Sequence, residues 1–368
     1  MTDARSVIEA DLAYIADQLQ QEFSSMAGSH LLITGGAGFL GFYLVQAVLY
    51  WNNQRANGDP IRLTVYDNFM RGTPEWLVNL QGDPNFESRR HDMTEPLPED
   101  MPHFQYIIHA ATIASPHYYR KYPIETMDAN VNGLRFLLDY CHRLNESGKP
   151  FHGFMFYSTS EIYGDPTPEN IPTSEEYRGS VSCTGPRACY DESKRYGETL
   201  CVNYARQYGL PIRIARPFNN FGPGLKISDK RVIPDFARDV LSGRDIVMHS
   251  DGAPTRTFCY VADAIIGHFK VLVKGRNAES YNIGVDQPEI SMTQLAELIA
   301  GMARSLFNYQ GTVSHKISED TDYLVDNPNR RCPNIEKARR DLGYSPQISL
   351  DDGLRRSLIW YRDNQDPK

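Results

Sequence analysis

Tyr190 and Lys194 form a Y-x-x-x-K pair inside a helical stretch, 187–208. Four-residue spacing puts both side chains on one helix face. A free phenol titrates at about 10, too high for a base at neutral pH. A neighbouring ammonium favours phenolate and lowers that value. Such a pair can take a proton from an alcohol and return it. Thr159, Ser160 and Glu161 end the apolar run F-M-F-Y-S-T-S (154–160) and its sequel. A hydroxyl there could hydrogen-bond an alcohol as it becomes a ketone. The plain alternative is an aromatic core residue beside a surface lysine, with Glu161 in an ordinary ion pair.

A second group favours the chemical reading. Thr34-Gly35-Gly36-Ala37-Gly38-Phe39-Leu40-Gly41 follows a short apolar strand and opens a helix. Gly35 permits a tight turn, Gly38 lets backbone approach a pyrophosphate, and Gly41 allows close helix packing. The helix N-terminus offers free N–H groups to phosphates. Asp67 ends the second strand, where a carboxylate can accept from both hydroxyls of an adenosine ribose and repel a 2′-phosphate. That pattern favours NAD over NADP. Asp92, ending the next strand, is placed either to contact adenine or simply to turn the chain. Ala110 and Ala111 are small enough to leave room for the nicotinamide, and His109 beside them reads as structural.

These residues need a scaffold. Apolar strands at 31–34, 63–67, 106–111, 154–160 and 212–217 alternate with helices to about Trp51, at 124–146 and at 187–208. Buried strands alternating with helices specify an α/β fold with a doubly wound parallel sheet. After Pro217 shorter helices are expected at 232–242, 261–274, 291–306, 335–342 and 351–362, separated by Gly- and Pro-bearing loops. The expected organisation is an N-terminal helical extension (1–28), a dinucleotide-binding domain (29–216, with 256–275 returning to it) and a smaller substrate-binding lobe (217–368). Val7, Ile8, Leu12, Ile15, Leu19 and Phe23 recur at helical spacing, so 5–23 reads as one amphipathic helix. Its stripe could dock on the main body or on another subunit.

The 368 residues are 41% hydrophobic and 23% charged, ordinary for a water-soluble globular chain. A net charge of −8 argues against nucleic acid as a partner. The 6 cysteines form no C-x-x-C pair and no zinc spacing, so no metal is expected and reduced thiols are. The acidic N-terminus lacks a signal-peptide core, and no apolar stretch approaches the roughly 20 residues of a membrane span. The cytoplasm is the expected location.

Several runs resemble the UDP-glucuronate decarboxylase (UDP-xylose synthase) group of the extended short-chain dehydrogenases/reductases. They are T-G-G-A-G-F-L-G, Asp67-Asn68-Phe69, S-T-S-E-I-Y-G-D-P (158–166), G-P-R-A-C-Y-D-E-S-K-R (185–195), R-P-F-N-N-F-G-P (216–223) and T-R-T-F-C-Y-V-A-D (255–263). The resemblance runs from about 29 to 345. It implies NAD held at Gly35, Gly38, Phe39, Leu40, Gly41, Asp67, Asn68, Asp92, Ala110, Ala111, Tyr190 and Lys194. It implies that Thr159 assists Tyr190 at a sugar 4-hydroxyl, with Ser160 and Glu161 near C5 and the carboxylate. Tyr119 would line the sugar pocket, and Arg256 would meet the carboxylate or serve in proton return. Asn219, Arg231 and Arg331 would hold the nucleotide and its diphosphate. A homodimer pairing helices 124–146 and 187–208 is also implied.

The residues themselves favour decarboxylation over loss of water. Relatives that eliminate water place an Asp-Glu pair after the threonine, whereas Ser160 is a poor acid. A C4 ketone makes a uronate a β-keto acid, which loses CO2 readily, and arginine suits its carboxylate. A 4-epimerase or 4,6-dehydratase is the alternative on the same scaffold, and a non-catalytic NAD-binding protein a remote one. The chain departs from the group at Val247-Met248-His249-Ser250-Asp251-Gly252, where an aromatic is usual, at Asn132, and around Pro333 with Cys332 and Asn334.

Overall fold

The computed structural model describes residues 1–56, 58–316 and 325–365. Seven parallel strands form the central sheet: β1 (His30–Thr34), β2 (Arg62–Asp67), β3 (Phe86–Arg90), β4 (Tyr106–His109), β5 (Gly153–Tyr157), β6 (Ile212–Pro217) and β7 (Ser280–Ile283). Their order is β7-β6-β5-β4-β1-β2-β3. The chain thus starts in the middle and winds outward both ways, leaving a crevice beyond the carboxyl ends of β1 and β4. β4 and β5 are buried along their whole length, because helices cover both faces. The seventh strand was not foreseen. Ser-Tyr-Asn-Ile is short and half polar, and it becomes a strand through pairing with Ile214–Pro217.

The N-terminal segment is two helices rather than one. α1 (Ala4–Gln18) opens on a reciprocal cap between Asp3 and Ser6. Leu19 breaks the helical dihedrals before α2 (Gln20–Met26). The kink lets one apolar face follow the body: Val7, Ile15, Leu19 and Phe23 are fully buried. α1 and α2 dock against α3 (Phe39–Arg55), which opens at the glycine turn, against a helix over Val261–Lys274 and against one over Leu350–Asp363 near the end of the chain.

The expected helix 124–146 is interrupted. A helical turn, Pro123–Asp128, passes through a π-turn, Ala129–Gly133, into α4 (Leu134–Glu146). Gly133 sits where a Cβ would lie 2.6 Å from the Met93 carbonyl oxygen. α5 (Ala188–Tyr208) runs uninterrupted to a left-handed Gly209. Beyond β6 come α6 (Val232–Leu241), α7 (Val261–Lys274), α8 (Met292–Phe307), α9 (Glu336–Leu342) and α10 (Leu350–Asp363), with short strand pairs between them.

Candidate active site

A cleft of about 2040 Å³ opens at the carboxyl ends of the strands. Pockets for one drug-sized ligand run to roughly 1,000 Å³, so this one has room for two ligands side by side. Every residue expected to bind NAD, to bind substrate or to take part in the chemistry lines it, from Gly35 to Arg331.

The glycine turn fits a dinucleotide. Gly35 has φ +71°, and a Cβ there would lie 2.6 Å from the Ala111 backbone. At Gly41 a Cβ would lie 2.1 Å from the Gly36 carbonyl oxygen, so helix and turn approach only because it is absent. Gly38 caps α3, and Phe39 and Leu40 form its first turn. Asp67 is fixed by two backbone donors, Ala37 N–H at 3.0 Å and Phe69 N–H at 2.8 Å. Asn68 donates to Asp92 at 3.0 Å. Asp92 also accepts from Thr94 N–H and Oγ1, so it turns the chain while lining the cleft. His109 Nδ1 meets Thr34 Oγ1 at 2.7 Å, and burial followed by the nearby Lys194 charge drives the imidazole well below its ordinary value.

Tyr190 and Lys194 project from α5 into the cleft and are buried. The Tyr190 ring stacks on Tyr119, with centroids 5.0 Å apart and planes 7° from parallel. Burial pushes the Tyr190 phenol up to about 12, partly offset by the Thr159 hydroxyl hydrogen-bonded to it. Burial drives Lys194 down to about 7. The expected depression of the phenol by the ammonium is therefore not what the protein alone provides. Lys194 Nζ donates to the Tyr157 carbonyl at 2.7 Å, and the cost of burying charge dominates both groups.

The charged groups cluster beside Tyr190, with Arg187 at the N-cap of the same helix and Glu161 close enough to act on the phenol. Glu161 Oε2 accepts from Arg187 Nη2 and Arg331 Nη2, both at 2.5 Å. Burial alone would raise the Glu161 carboxyl, but these two guanidiniums hold it below its ordinary value. Asp191 lies behind Arg187, 3.7 Å from its Nε, and burial together with the Glu161 charge raises its pKa. Arg187 and Asp191 were not foreseen as site residues. Their only signal was the run G-P-R-A-C-Y-D-E itself, whose spacing aims Arg187 at a carboxylate 26 residues earlier.

Arg256 lines the cleft, but its terminal nitrogens donate to the carbonyls of Thr255, Pro328 and Asn329 and approach Asn327 Oδ1. Burial, then the neighbouring Arg331 charge, push it down to about 9. Arg331 and Asn219 touch at 3.4 Å, and Asn219 also donates to the Thr257 carbonyl. Arg231 pairs with Asp229 at 3.0 Å. Tyr119 Oη, Arg187 Nε, Arg331 Nε and Asp191 Oδ1 are buried without hydrogen-bond partners. Unsatisfied groups of this kind cluster where a ligand completes them. Among the described residues no group of His, Cys, Asp or Glu could hold a metal ion.

Known proteins resemble this chain in sequence and fold. A model of the NAD dependent epimerase/dehydratase family matches residues 31–284. UDP-glucuronic acid decarboxylase 3 of Arabidopsis thaliana is 38% identical over 324 residues, covering 88% of this chain and 86% of that protein. UDP-glucuronic acid decarboxylase 1 of Xenopus tropicalis is 37% identical, covering 90% and 72%. Among solved structures, an epimerase from Methanothermobacter thermautotrophicus superposes with a TM-score of 0.76 at 26% identity, covering 94% of this chain and 96% of that one. A dTDP-glucose 4,6-dehydratase from Streptomyces venezuelae, solved with NAD bound, gives 0.75 at 26% identity, covering 91% and 97%. With its glycine turn, its ribose-end carboxylate and its tyrosine–lysine pair, the chain belongs to the NAD-dependent epimerase/dehydratase family.

Proposed function

We propose that the protein decarboxylates a nucleotide-linked uronate, UDP-glucuronate above others, to the UDP-pentose or its 4-keto form. The observation that carries this reading is the guanidinium-rich cluster beside Tyr190. Arg187, Arg331 and Arg256 outnumber the charged carboxylate Glu161, because Asp191 behind Arg187 is raised to about 8 and largely protonated at neutral pH, and an anionic sugar offsets that excess where a neutral hexose does not. The similarity to UDP-glucuronic acid decarboxylases over 88% of the chain supports the same choice.

Gly35, Gly38, Phe39, Leu40, Gly41, Asp67, Asn68, Asp92, Ala110 and Ala111 would hold NAD, with Tyr190 and Lys194 at its nicotinamide end. NAD, when bound, supplies oxidation at the sugar's C4 and the matching reduction. Tyr190 takes the C4 hydroxyl proton, and Thr159 hydrogen-bonds the same phenol to orient it. Tyr119 fixes the plane of the Tyr190 ring by stacking. With C4 a ketone, the C5–C6 bond breaks, its electron pair passes toward the carbonyl, CO2 leaves and C5 takes a proton. Ser160 and Glu161 face that end, and Arg256 and Arg331 lie close enough to bias the charge there. Asn219, Arg231 and Arg331 would hold the nucleotide and its diphosphate. Ser160 is a poor acid, and its neighbour Glu161 is held in the carboxylate form by Arg187 and Arg331, so neither readily protonates a departing hydroxyl, which disfavours the dehydratase alternative.

The test is a panel of nucleotide uronates and hexoses with products read by mass. Loss of the mass of CO2 from a uronate is expected; a product of unchanged mass would establish epimerisation, and loss of water from a hexose dehydration.

A homodimer belongs to the same reading. Ile124, Met127 and Tyr196 are exposed on the two helices expected to pair, and Ile124 is 63% exposed. Sedimentation of a dimer, converted to monomer by Ile124→Asp with Tyr196→Asp, is the expected result. A cytoplasmic location also belongs to it, supported by six free cysteines with no disulfide among them. No described helix is long and apolar enough to cross a membrane.

A further inference from the structure

Asp229 lies where three segments of the cleft wall meet, and it has no role in the chemistry above. Its side chain is 1% exposed, yet it faces two arginines from different walls. Arg71, from the loop that follows the Asp67 ribose carboxylate, donates to Asp229 Oδ2 at 2.8 Å. Arg231, which opens α6 in the nucleotide-sugar half, brings Nε to 3.0 Å from Oδ1. That second contact is an ion pair without hydrogen-bond geometry, so Oδ1 has no aligned donor. The Asp229 carbonyl accepts from Ser115 Oγ at 3.0 Å, in the loop after β4. Lys226 Nζ returns to the Arg71 carbonyl at 2.8 Å, and the Arg71 guanidinium lies 5.3 Å from the Tyr118 ring centroid. Phe69 and Lys230 flank the junction with φ of +54° and +69°. Neither is glycine, and Phe69 is held in the left-handed region by local bonds, its N–H donating to Asp67 Oδ1 and its carbonyl accepting from Gly72 N–H.

We propose that Asp229 is a positioning residue that straps the cofactor-side loop, through Arg71, to the substrate-side arginine, Arg231, so that filling one half of the cleft tightens the other. A buried carboxylate shared by two guanidiniums holds each less firmly than it would hold one alone. A diphosphate that draws Arg231 away from Oδ1 leaves the full charge of Asp229 to Arg71. The loop carrying Asp67 and Asn68 is then held more firmly over the dinucleotide. Retention matters because the same dinucleotide must be oxidant and reductant within one cycle. The identity of the substrate-side ligand rests on the function proposed above; the hold on NAD does not.

The test measures NAD release by stopped-flow fluorescence from the full-length protein, with and without UDP as the probe. Wild type is expected to release NAD more slowly with UDP present, and the factor by which UDP tightens the NAD dissociation constant to equal the factor by which NAD tightens UDP. Arg71→Ala is expected to release NAD roughly 10- to 100-fold faster, the size of one hydrogen bond to a charged group. Arg71→Lys should recover part of that retention. Asp229→Asn should in addition lose the effect of UDP. Arg71 is 44% exposed on its side chain, so Arg71→Ala remains informative even where Asp229→Asn fails to fold. Wild-type release rates in a folded Arg71→Ala protein would overturn the proposal. If UDP does not bind wild type at all, the nucleotide-sugar reading fails, and the Arg71 measurement still decides the strap.

Discussion

Two buried charge clusters in this chain use similar residues for different ends. Under the N-terminal helix, Asp11 is fully buried and accepts from Tyr43 Oη, Tyr260 Oη and Arg356 Nη1 at 2.5, 2.6 and 2.6 Å. In the cleft, Glu161 accepts from Arg187 and Arg331. One guanidinium and two phenols do not outweigh desolvation, so burial raises the Asp11 carboxyl despite its partners. Two guanidiniums do, and Glu161 is lowered. The inventories also differ. Under the helix only Arg356 Nε is left without a partner in that network, whereas the cleft leaves Arg187 Nε, Arg331 Nε, Asp191 Oδ1 and Tyr119 Oη unpaired. Burial of charge therefore does not mark the functional site. Incomplete pairing facing a cleft does.

Substitutions should separate the two regions. The largest effect is expected from Tyr190→Phe, which keeps the stacked ring and removes the proton carrier. Turnover should fall by roughly 10²- to 10⁴-fold, the usual worth of a general acid–base group, with an unchanged melting temperature. Wild-type turnover would remove Tyr190 from the chemistry. Next comes Asp11→Ala, which strands Arg356 and two phenols. It should cost about 3–5 kcal/mol in urea unfolding, with turnover per folded molecule close to wild type. A loss of turnover without loss of stability would place the N-terminal helix in the active site.

Lys194 gives a smaller effect with a definite sign. Below about 7 the folded and unfolded chains both carry its proton; from about 7 to 10.5 only the unfolded chain does. The unfolded state binds more protons in that window, so stability should climb with pH by at most ~1.4 kcal/mol per unit from this group. Lys194→Met should lose that slope, and identical slopes by chemical denaturation would contradict the burial argument. Asp191 runs the other way. Its raised carboxyl binds a proton more firmly in the folded chain, so its contribution is lost as pH rises above the ordinary 3.8 through the raised value. Asp191→Asn should gain stability relative to wild type over that rise, and a constant difference across it would count against the raised carboxyl.

Much of this was legible in the sequence because it is local. Gly35, Gly38 and Gly41 read each other within one turn, and Tyr190 and Lys194 within one helical repeat. β1, β2, β4, β5 and β6 announce themselves as apolar runs, whereas β3, Phe-Glu-Ser-Arg-Arg, does not. What stayed hidden depends on distant partners. Arg331 reaches Glu161 across 170 positions, and Arg71 reaches Asp229 across 158. Ser280–Ile283 is a strand only because β6 offers an edge. The break at Leu19 and the π-turn at Ala129–Gly133 answer the shape of the surface each helix crosses, which periodicity does not carry.

The most direct test of the decarboxylation reading is incubation with UDP-glucuronate labelled at C6. One labelled CO2 should appear for each substrate consumed, leaving a five-carbon sugar on UDP. Label retained in a six-carbon product would contradict it.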